Sequence, residues 1–218
     1  MKFELFCYRD WAIKCARETI TLLPSIDISI KDKFSIPLEE DSSETILIFI
    51  GWSDIIPSHI IKTFPCFCIH PSALPQYRGG SPIQNQIIDG VINSKVTLFK
   101  MSEGIDEGDI YDSHPILLDG YLNDVMLKIS TISSVLINNL ISDYTSGKKM
   151  KLTPQDNSKA TLCKRRKPSE SIINVKDLNK YSAKDIYNMV RCLQPPYPVL
   201  ELKFDDDSLL VLNSVSLR

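Results

Sequence analysis

The sequence has no Cys-x-x-Cys pair, no Gly-x-Gly-x-x-Gly loop, no internal repeat and no low-complexity tract. Its six cysteines stand apart at positions 7, 15, 66, 68, 163 and 192. That scatter reads as free thiols in a reducing compartment rather than as a disulfide framework. Cys66 and Cys68 form a Cys-x-Cys, but two ligands without a second cluster make a poor zinc site, so no metal is expected. The first apolar run is followed by YRDWA, where a glycine loop would cradle a dinucleotide pyrophosphate, so neither NAD nor FAD is expected there. No stretch reaches the roughly 20 apolar residues needed to cross a bilayer. Glu4, Arg9 and Asp10 interrupt anything that could serve as a signal-peptide apolar region. The expectation is a cytoplasmic protein with no membrane partner. A basic face is also missing: the net charge is −2, and a grip on a polyanion is driven by phosphate neutralisation. No nucleic-acid partner is expected, with the run Lys164, Arg165, Arg166 and Lys167 as the local exception.

What is present is a chain of 218 residues, 43% hydrophobic and 24% charged, in the range of globular proteins and sized for one α/β core with a small appendage. Strand and helix signals alternate through the first half. Residues 2–7 read as a buried strand, 10–23 as a helix and 26–30 as a second strand, followed by an acidic loop around Glu39 to Ser43. ILIFIG at 46–51 is a continuous apolar run, as in a central parallel strand covered on both faces. Pro57 suits the start of a helix over 57–63, and CFCIH at 66–70 forms the next strand. A helix at 81–90, strands at 95–101 and 109–117, and a long helix at about 121–146 stopped by Gly147 complete this part. The predicted fold class is α/β: a Rossmann-like, mostly parallel sheet with flanking helices and a small C-terminal α+β lobe. The expected boundary falls near residue 150. The region 151–218 then comprises a loop, a helix over 183–193 with a capping box from Ser182 and Asp185, and a hairpin of strands 198–204 and 208–216 around Asp205 to Asp207.

Candidate chemistry gathers at two loops. Side chains alternate along CFCIH, so Cys66, Cys68 and His70 share one face. His70 ends that strand at the sheet's carboxyl edge, where open α/β sheets bind ligands. By position alone it is either catalytic or a histidine that caps a loop. SALPQYRGGSP is a stiff loop in which Gly79 and Gly80 permit close approach of a ligand. SEGIDEGD sets Asp106 between two glycines, where a carboxylate either orients His70 or simply occupies a solvated turn.

These segments resemble the folate-dependent formyltransferase family. The family pattern Asn-x-His-Pro-Ser-Leu-Leu-Pro, then Arg-Gly, then Gly-Leu-Asp-x-Gly-Asp, stands here as Cys68 to Pro75, Arg78-Gly79, and Gly104 to Asp109. GWSDIIP at 51–57 is similar to the family's Gly-Tyr-x-x-Ile-Ile-Pro segment. The likeness is specific over about residues 46–118 and looser elsewhere. It implies 10-formyltetrahydrofolate as cosubstrate, with Gly51, Trp52, Ser53, Ile55, Ser102, Gly104, Ile105 and Asp106 around it. It implies His70 and Asp106 as catalytic residues, and Ser72, Tyr77, Arg78, Gly79 and Gly80 toward the acceptor. One departure stands out: the family's catalytic Asn position falls on Cys68. An amide there donates to the oxyanion formed on the formyl group, whereas a thiol donates weakly. Either His70 with backbone or water holds the oxyanion, or activity is weak or absent. Cys68 as a nucleophile would require a formyl thioester, which is not the family's chemistry.

Within the family, the segments KRRKPSES and VRCLQPPYP resemble the tail of nucleotide-sugar N-formyltransferases. That implies a nucleotide-linked amino sugar as acceptor, with Arg165, Arg166 or Lys167 neutralising its diphosphate; a solvated basic loop is the alternative. Methionyl-tRNA and purine-pathway formyltransferases, a formyltetrahydrofolate hydrolase and a catalytically degenerate binding protein remain the other readings. A homodimer is left open.

Overall fold

The computed structural model describes residues 1–33 and 44–218. The acidic loop expected from Glu39 to Ser43 lies outside the described residues. Six strands form the main sheet in the order β2-β1-β3-β4-β6-β7. They are β1 (Lys2–Phe6), β2 (Asp27–Lys31), β3 (Thr45–Ile50), β4 (Cys66–His70), β6 (Asn93–Lys100) and β7 (Ile110–Leu117). The pairs β1–β2, β1–β3 and β3–β4 are parallel, whereas β4–β6 and β6–β7 are antiparallel.

The apolar run predicted as a central strand is β3, buried along its whole length. Its alternation feeds two cores. Ile46, Ile48 and Ile50 enter the larger one together with Phe3, Leu5, Phe67 and Ile69. Leu47 and Phe49 enter the smaller one with Phe6, Cys66 and Ile60 of α2 (Ser58–Thr63). Cys68 packs against this second cluster, so Cys66 and Cys68 share a face, as period two requires. Each fully buried Ile or Phe contributes about 1.5–3 kcal/mol, which pins the register of the strand that ends at His70.

The larger core is covered by α1 (Asp10–Leu22) and α4 (Leu122–Thr145), which pack on each other. In α1 the buried face is Ala12, Cys15, Ala16 and Thr19, a helical spacing of small side chains that lets α4 approach closely. Helix α4 corrects the sequence reading of apolar length. It is long and apolar enough to cross a membrane, with a mean hydropathy of 1.4 over its best window, yet that window is 56% buried within this fold. Such burial is what a helix against a sheet requires.

The region after residue 150 does not stand apart. Ile173, Val190, Cys192, Leu193 and Leu200 belong to the larger core. Helix α5 (Ala183–Cys192) opens with the expected capping box, the Asp185 backbone donating to Ser182 Oγ at 3.2 Å and Ser182 N to Asp185 Oδ2 at 2.8 Å. It packs on α3 (Pro82–Ile88). The expected hairpin is β10 (Leu200–Lys203) with β11 (Leu209–Leu212). Two features were not anticipated. Strand β9 (Ile172–Asn174) adds in parallel to β10, and β5 (Arg78–Gly79) pairs with β8 (Leu162–Cys163), strapping residues 161–165 across the loop after His70.

Candidate active site

The chain order makes a switch point. From β1 it passes to β2 on one side, then returns to β3 on the other, so a crevice opens at the carboxyl ends of β1 and β3. Arg9 follows β1, Gly51 and Trp52 follow β3, and His70 closes β4 beside them. Arg9 ties this edge together: its Nε donates to Gly51 O (2.9 Å), one terminal nitrogen to Tyr197 Oη (3.0 Å) and the other to Ser53 Oγ (2.8 Å).

His70 is 5% exposed. Its Nε2 lies 2.7 Å from Tyr77 O; a carbonyl only accepts, so Nε2 carries a proton. Its Nδ1 faces Asp106 Oδ2 at 3.4 Å. The same carboxylate oxygen accepts from Gly79 N at 2.8 Å. Asp106 thus joins the two loops that the sequence singled out, and holds the ring between a carbonyl on one side and a negative charge on the other. Asp106 itself sits at φ 53°, a left-handed conformation for a non-glycine residue. Gln155 supports it there, its amide nitrogen donating to Asp106 O (2.9 Å) and Gly108 O (2.7 Å).

Gly79 and Gly80 are required by the strap. A Cβ on Gly79 would stand 2.5 Å from Cys163 O, and one on Gly80 would stand 2.5 Å from Arg165 N. The glycines therefore admit backbone, and the strap in turn brings Arg165 and Arg166 to the crevice.

Two cavities meet at this point. One, of about 290 Å³, is walled by Phe49, Ile56, Phe99 and Met101 and by the loop from Ser102 to Asp106. The other, of about 260 Å³, is the more polar of the two, with Arg9, Gln84, Arg165, Arg166 and Tyr197 in its wall beside His70. Trp52, Ser53, Cys68, Gly79, Gly80, Asp106 and Arg165 border both. A larger cavity of about 540 Å³ lies behind the strap at Tyr77 and Asp89, but neither His70 nor Asp106 lines it.

Of the expected cosubstrate residues, Trp52, Ser53, Ile55, Ser102, Gly104, Ile105 and Asp106 line the apolar cavity, while Gly51 lines the polar one. Of the expected acceptor residues, Gly79, Gly80, Arg165 and Arg166 line the polar cavity. Four others point elsewhere. Arg78 is 3% exposed and turned inward, bonded to Gln155 Oε1 (2.7 Å) and Asn157 Oδ1 (2.8 Å) and 3.6 Å from Glu107. Ser72 donates to Gln76 O at 2.7 Å and is fully buried. The Tyr77 hydroxyl donates to Asp89 at 3.0 Å, so this residue serves the site through its carbonyl alone. Lys167 starts a short 3₁₀ turn, its backbone nitrogen donating to Glu170.

Cys68 stands on the wall common to both cavities. Burial, and then the nearby Asp106 charge, push its thiol well above the usual value. A thiol held neutral is a poor nucleophile, which argues against a covalent role. The sequence reading missed Arg9, Gln84, Gln155 and Tyr197. Arg9 was within reach of it, since the residue after the first strand of such a sheet lies at the ligand edge.

The formyl transferase family model matches residues 32–131. This chain carries a formyl transferase domain. The methionyl-tRNA formyltransferase of Syntrophomonas wolfei is 30% identical over 172 residues, 77% of this chain and 53% of that protein. This chain spans about half the length of the curated relatives it matches. A solved methionyl-tRNA formyltransferase from Clostridium thermocellum superposes with a TM-score of 0.83 at 27% identity, covering 100% of this chain and 94% of that one. A sugar N-formyltransferase from a Shewanella species shares the fold, with a TM-score of 0.77 at 15% identity over 100% of this chain and 98% of that one.

Proposed function

We propose that this chain transfers the formyl group of 10-formyltetrahydrofolate to the amine of a nucleotide-linked amino sugar, in the cytoplasm. The observation that carries the reading is the meeting of an apolar and a more polar cavity at Cys68 and Asp106, with His70 in the wall of the second. A two-substrate transfer needs the donor carbon and the attacking amine brought together from two sides. The apolar cavity, with aromatic and methionine walls, suits a flat heteroaromatic ring. The polar cavity, with Arg9, Arg165 and Arg166, suits an anionic acceptor. The six free thiols fit a reducing compartment.

In this reading the amine nitrogen attacks the formyl carbon and the carbonyl oxygen takes up negative charge. Nε2 is committed to Tyr77 O, so His70 acts through Nδ1: it takes the amine proton there or, once protonated, donates to that oxygen, while Asp106 fixes the ring and balances positive charge on it. The C–N bond to the folate then breaks, and the folate nitrogen leaves with a proton.

Methionyl-tRNA is the second reading, favoured by the curated relatives and by the Clostridium thermocellum structure. One assay separates the two. The purified protein is incubated with 10-formyltetrahydrofolate and either a panel of nucleotide-linked amino sugars or methionyl-tRNA, and the acceptor is weighed by mass spectrometry. A gain of one formyl group on an amino sugar supports the proposal; a gain on methionyl-tRNA alone replaces it. Formate released at the same rate without any acceptor would mean a hydrolase.

A further inference from the structure

Helix α3 carries three consecutive polar side chains, Gln84, Asn85 and Gln86, and two of them are committed to the fold. The Gln86 amide nitrogen donates to Pro71 O (2.8 Å) and Pro82 O (2.9 Å), and its oxygen accepts from Ser94. Asn85 donates to Gly80 O (3.1 Å) and Lys164 O (3.2 Å). Gln84 is nearly as buried, at 5% exposed. Its backbone carbonyl faces Cys192 Sγ, but its side-chain amide has no hydrogen-bond partner among the described residues. Neither amide atom is among the buried, unpartnered ones, so the small surface that Gln84 keeps includes its amide, free to meet water or a ligand. Gln84 lines the polar cavity together with His70 and Asp106, and it does not line the apolar one.

We infer that the Gln84 carboxamide binds the amine acceptor and plays no part in holding the formyl donor. The inference rests on the formyl-transfer reading above and adds to it the residue that selects the acceptor. A carboxamide offers one accepting oxygen and two N–H donors. An amine satisfies only the oxygen. An acceptor with a hydroxyl or carbonyl next to its amine satisfies both ends. Gln84 therefore selects amines that carry a neighbouring oxygen, as an amino sugar with a vicinal hydroxyl does and as the α-amine of an aminoacyl ester does.

A packing role makes the opposite forecast. Gln84→Met has similar length and no amide to leave unpaired, so it would be kinetically silent. The test uses steady-state kinetics of the whole chain, wild type and Gln84→Met, with Gln84→Ala as the second variant. The donor is 10-formyltetrahydrofolate. The acceptors are a nucleotide-linked amino sugar, its analogue lacking the hydroxyl beside the amine, and methionyl-tRNA. The expected result is an acceptor KM raised about 3–10-fold, the loss of a neutral hydrogen bond, with donor KM unchanged and the melting temperature equal to wild type or above it for Gln84→Met. The preference for the hydroxyl-bearing sugar over its deoxy analogue shrinks in the same variants. An unchanged acceptor KM, or an equal rise in donor KM, overturns the inference while leaving formyl transfer intact. Failure of the wild type to formylate any of the three overturns the parent reading, and this inference with it.

Discussion

Replacing Cys68 tests how the site manages without the amide that the resembled family places there. The side chain stands on the wall shared by both cavities, on a strand paired on each side, opposite Phe49 and Phe99. Backbone pairing on both flanks keeps residue 68 in place, so a substitution changes the group presented and little else. Cys68→Asn adds a fixed N–H donor where the oxyanion develops. A well-placed donor of that kind is worth about 2.7–4 kcal/mol, or about 10²–10³ in kcat. If His70 or a water already fills the role, the gain is smaller. Cys68→Asn is therefore expected to hold kcat at the wild-type level or raise it. Cys68→Ala removes only a neutral thiol, a weak donor, and is expected to change kcat by less than about fivefold, within the ~1 kcal/mol of an ordinary hydrogen bond. Because burial keeps the Cys68 thiol protonated past its usual range, the rate profiles of wild type and Cys68→Ala are expected to superpose below pH 9. The assay is single-turnover formyl transfer to an accepted amine, with circular dichroism confirming the fold of each variant. A well-folded Cys68→Ala protein without activity would refute this reasoning and return Cys68 to a covalent role, which a trapped formyl thioester would establish. A silent wild type that gains activity as Cys68→Asn would mark the chain as a binding protein that has lost its chemistry.

Three further outcomes are expected. His70→Asn and Asp106→Asn each lower kcat by about 10²–10⁴, the usual range for a positioned acid–base group, while the fold persists; near wild-type rates in either would dismiss the pair. Arg78→Met lowers stability by about 1–3 kcal/mol in urea titration, because the Gln155 and Asn157 amide oxygens lose their donor, and the protein that stays folded keeps its acceptor KM; a rise in KM with unchanged stability would restore Arg78 to the substrate. The melting temperature falls as the pH rises above 9. Burial holds Cys7 at about 11 and Cys66 and Cys192 at about 12 in the folded chain, whereas the unfolded thiols release protons from about 9. Between those values only the unfolded state gains charge, so each such thiol removes about 1.4 kcal/mol of stability per pH unit. A melting temperature that rises between pH 9 and pH 11 would contradict the burial of these thiols.

The sheet was legible because its signals are local. The run from Ile46 to Ile50 contains no polar residue, and CFCIH alternates before a proline, so strand identity and the edge position of His70 follow from neighbours in sequence. The Gly79-Gly80 pair was legible as a close approach, although what approaches is the strap at Cys163 and Arg165 as well as the cavities. Arg78 misled for a related reason. Beside two glycines and a tyrosine it reads as a ligand-facing cation, but the pairing of β5 with β8 turns its side chain inward to Gln155. Nothing near residue 78 encodes a partner 77 positions away.

That distance also explains why the support of the site stayed hidden while its chemistry did not. His70 and Asp106 were singled out by the resemblance of HPSALP and GIDEGD to a family pattern; by position alone the one could cap a loop and the other occupy a solvated turn. Gln155, Tyr197 and Arg9 are ordinary residues in ordinary surroundings, and they acquire a role only when the fold brings residues 9, 53, 106, 155 and 197 to one edge. The region after residue 150 does two jobs there. Gln155 and Asn157 accept the Arg78 hydrogen bonds and Gln155 fixes the Asp106 loop, while the strap delivers Arg165 and Arg166 to the more polar cavity. The region up to residue 150 and the small region after it, as the sequence divides them, therefore meet at the candidate site: the first carries His70 and Asp106, and the second holds the loop on which Asp106 stands.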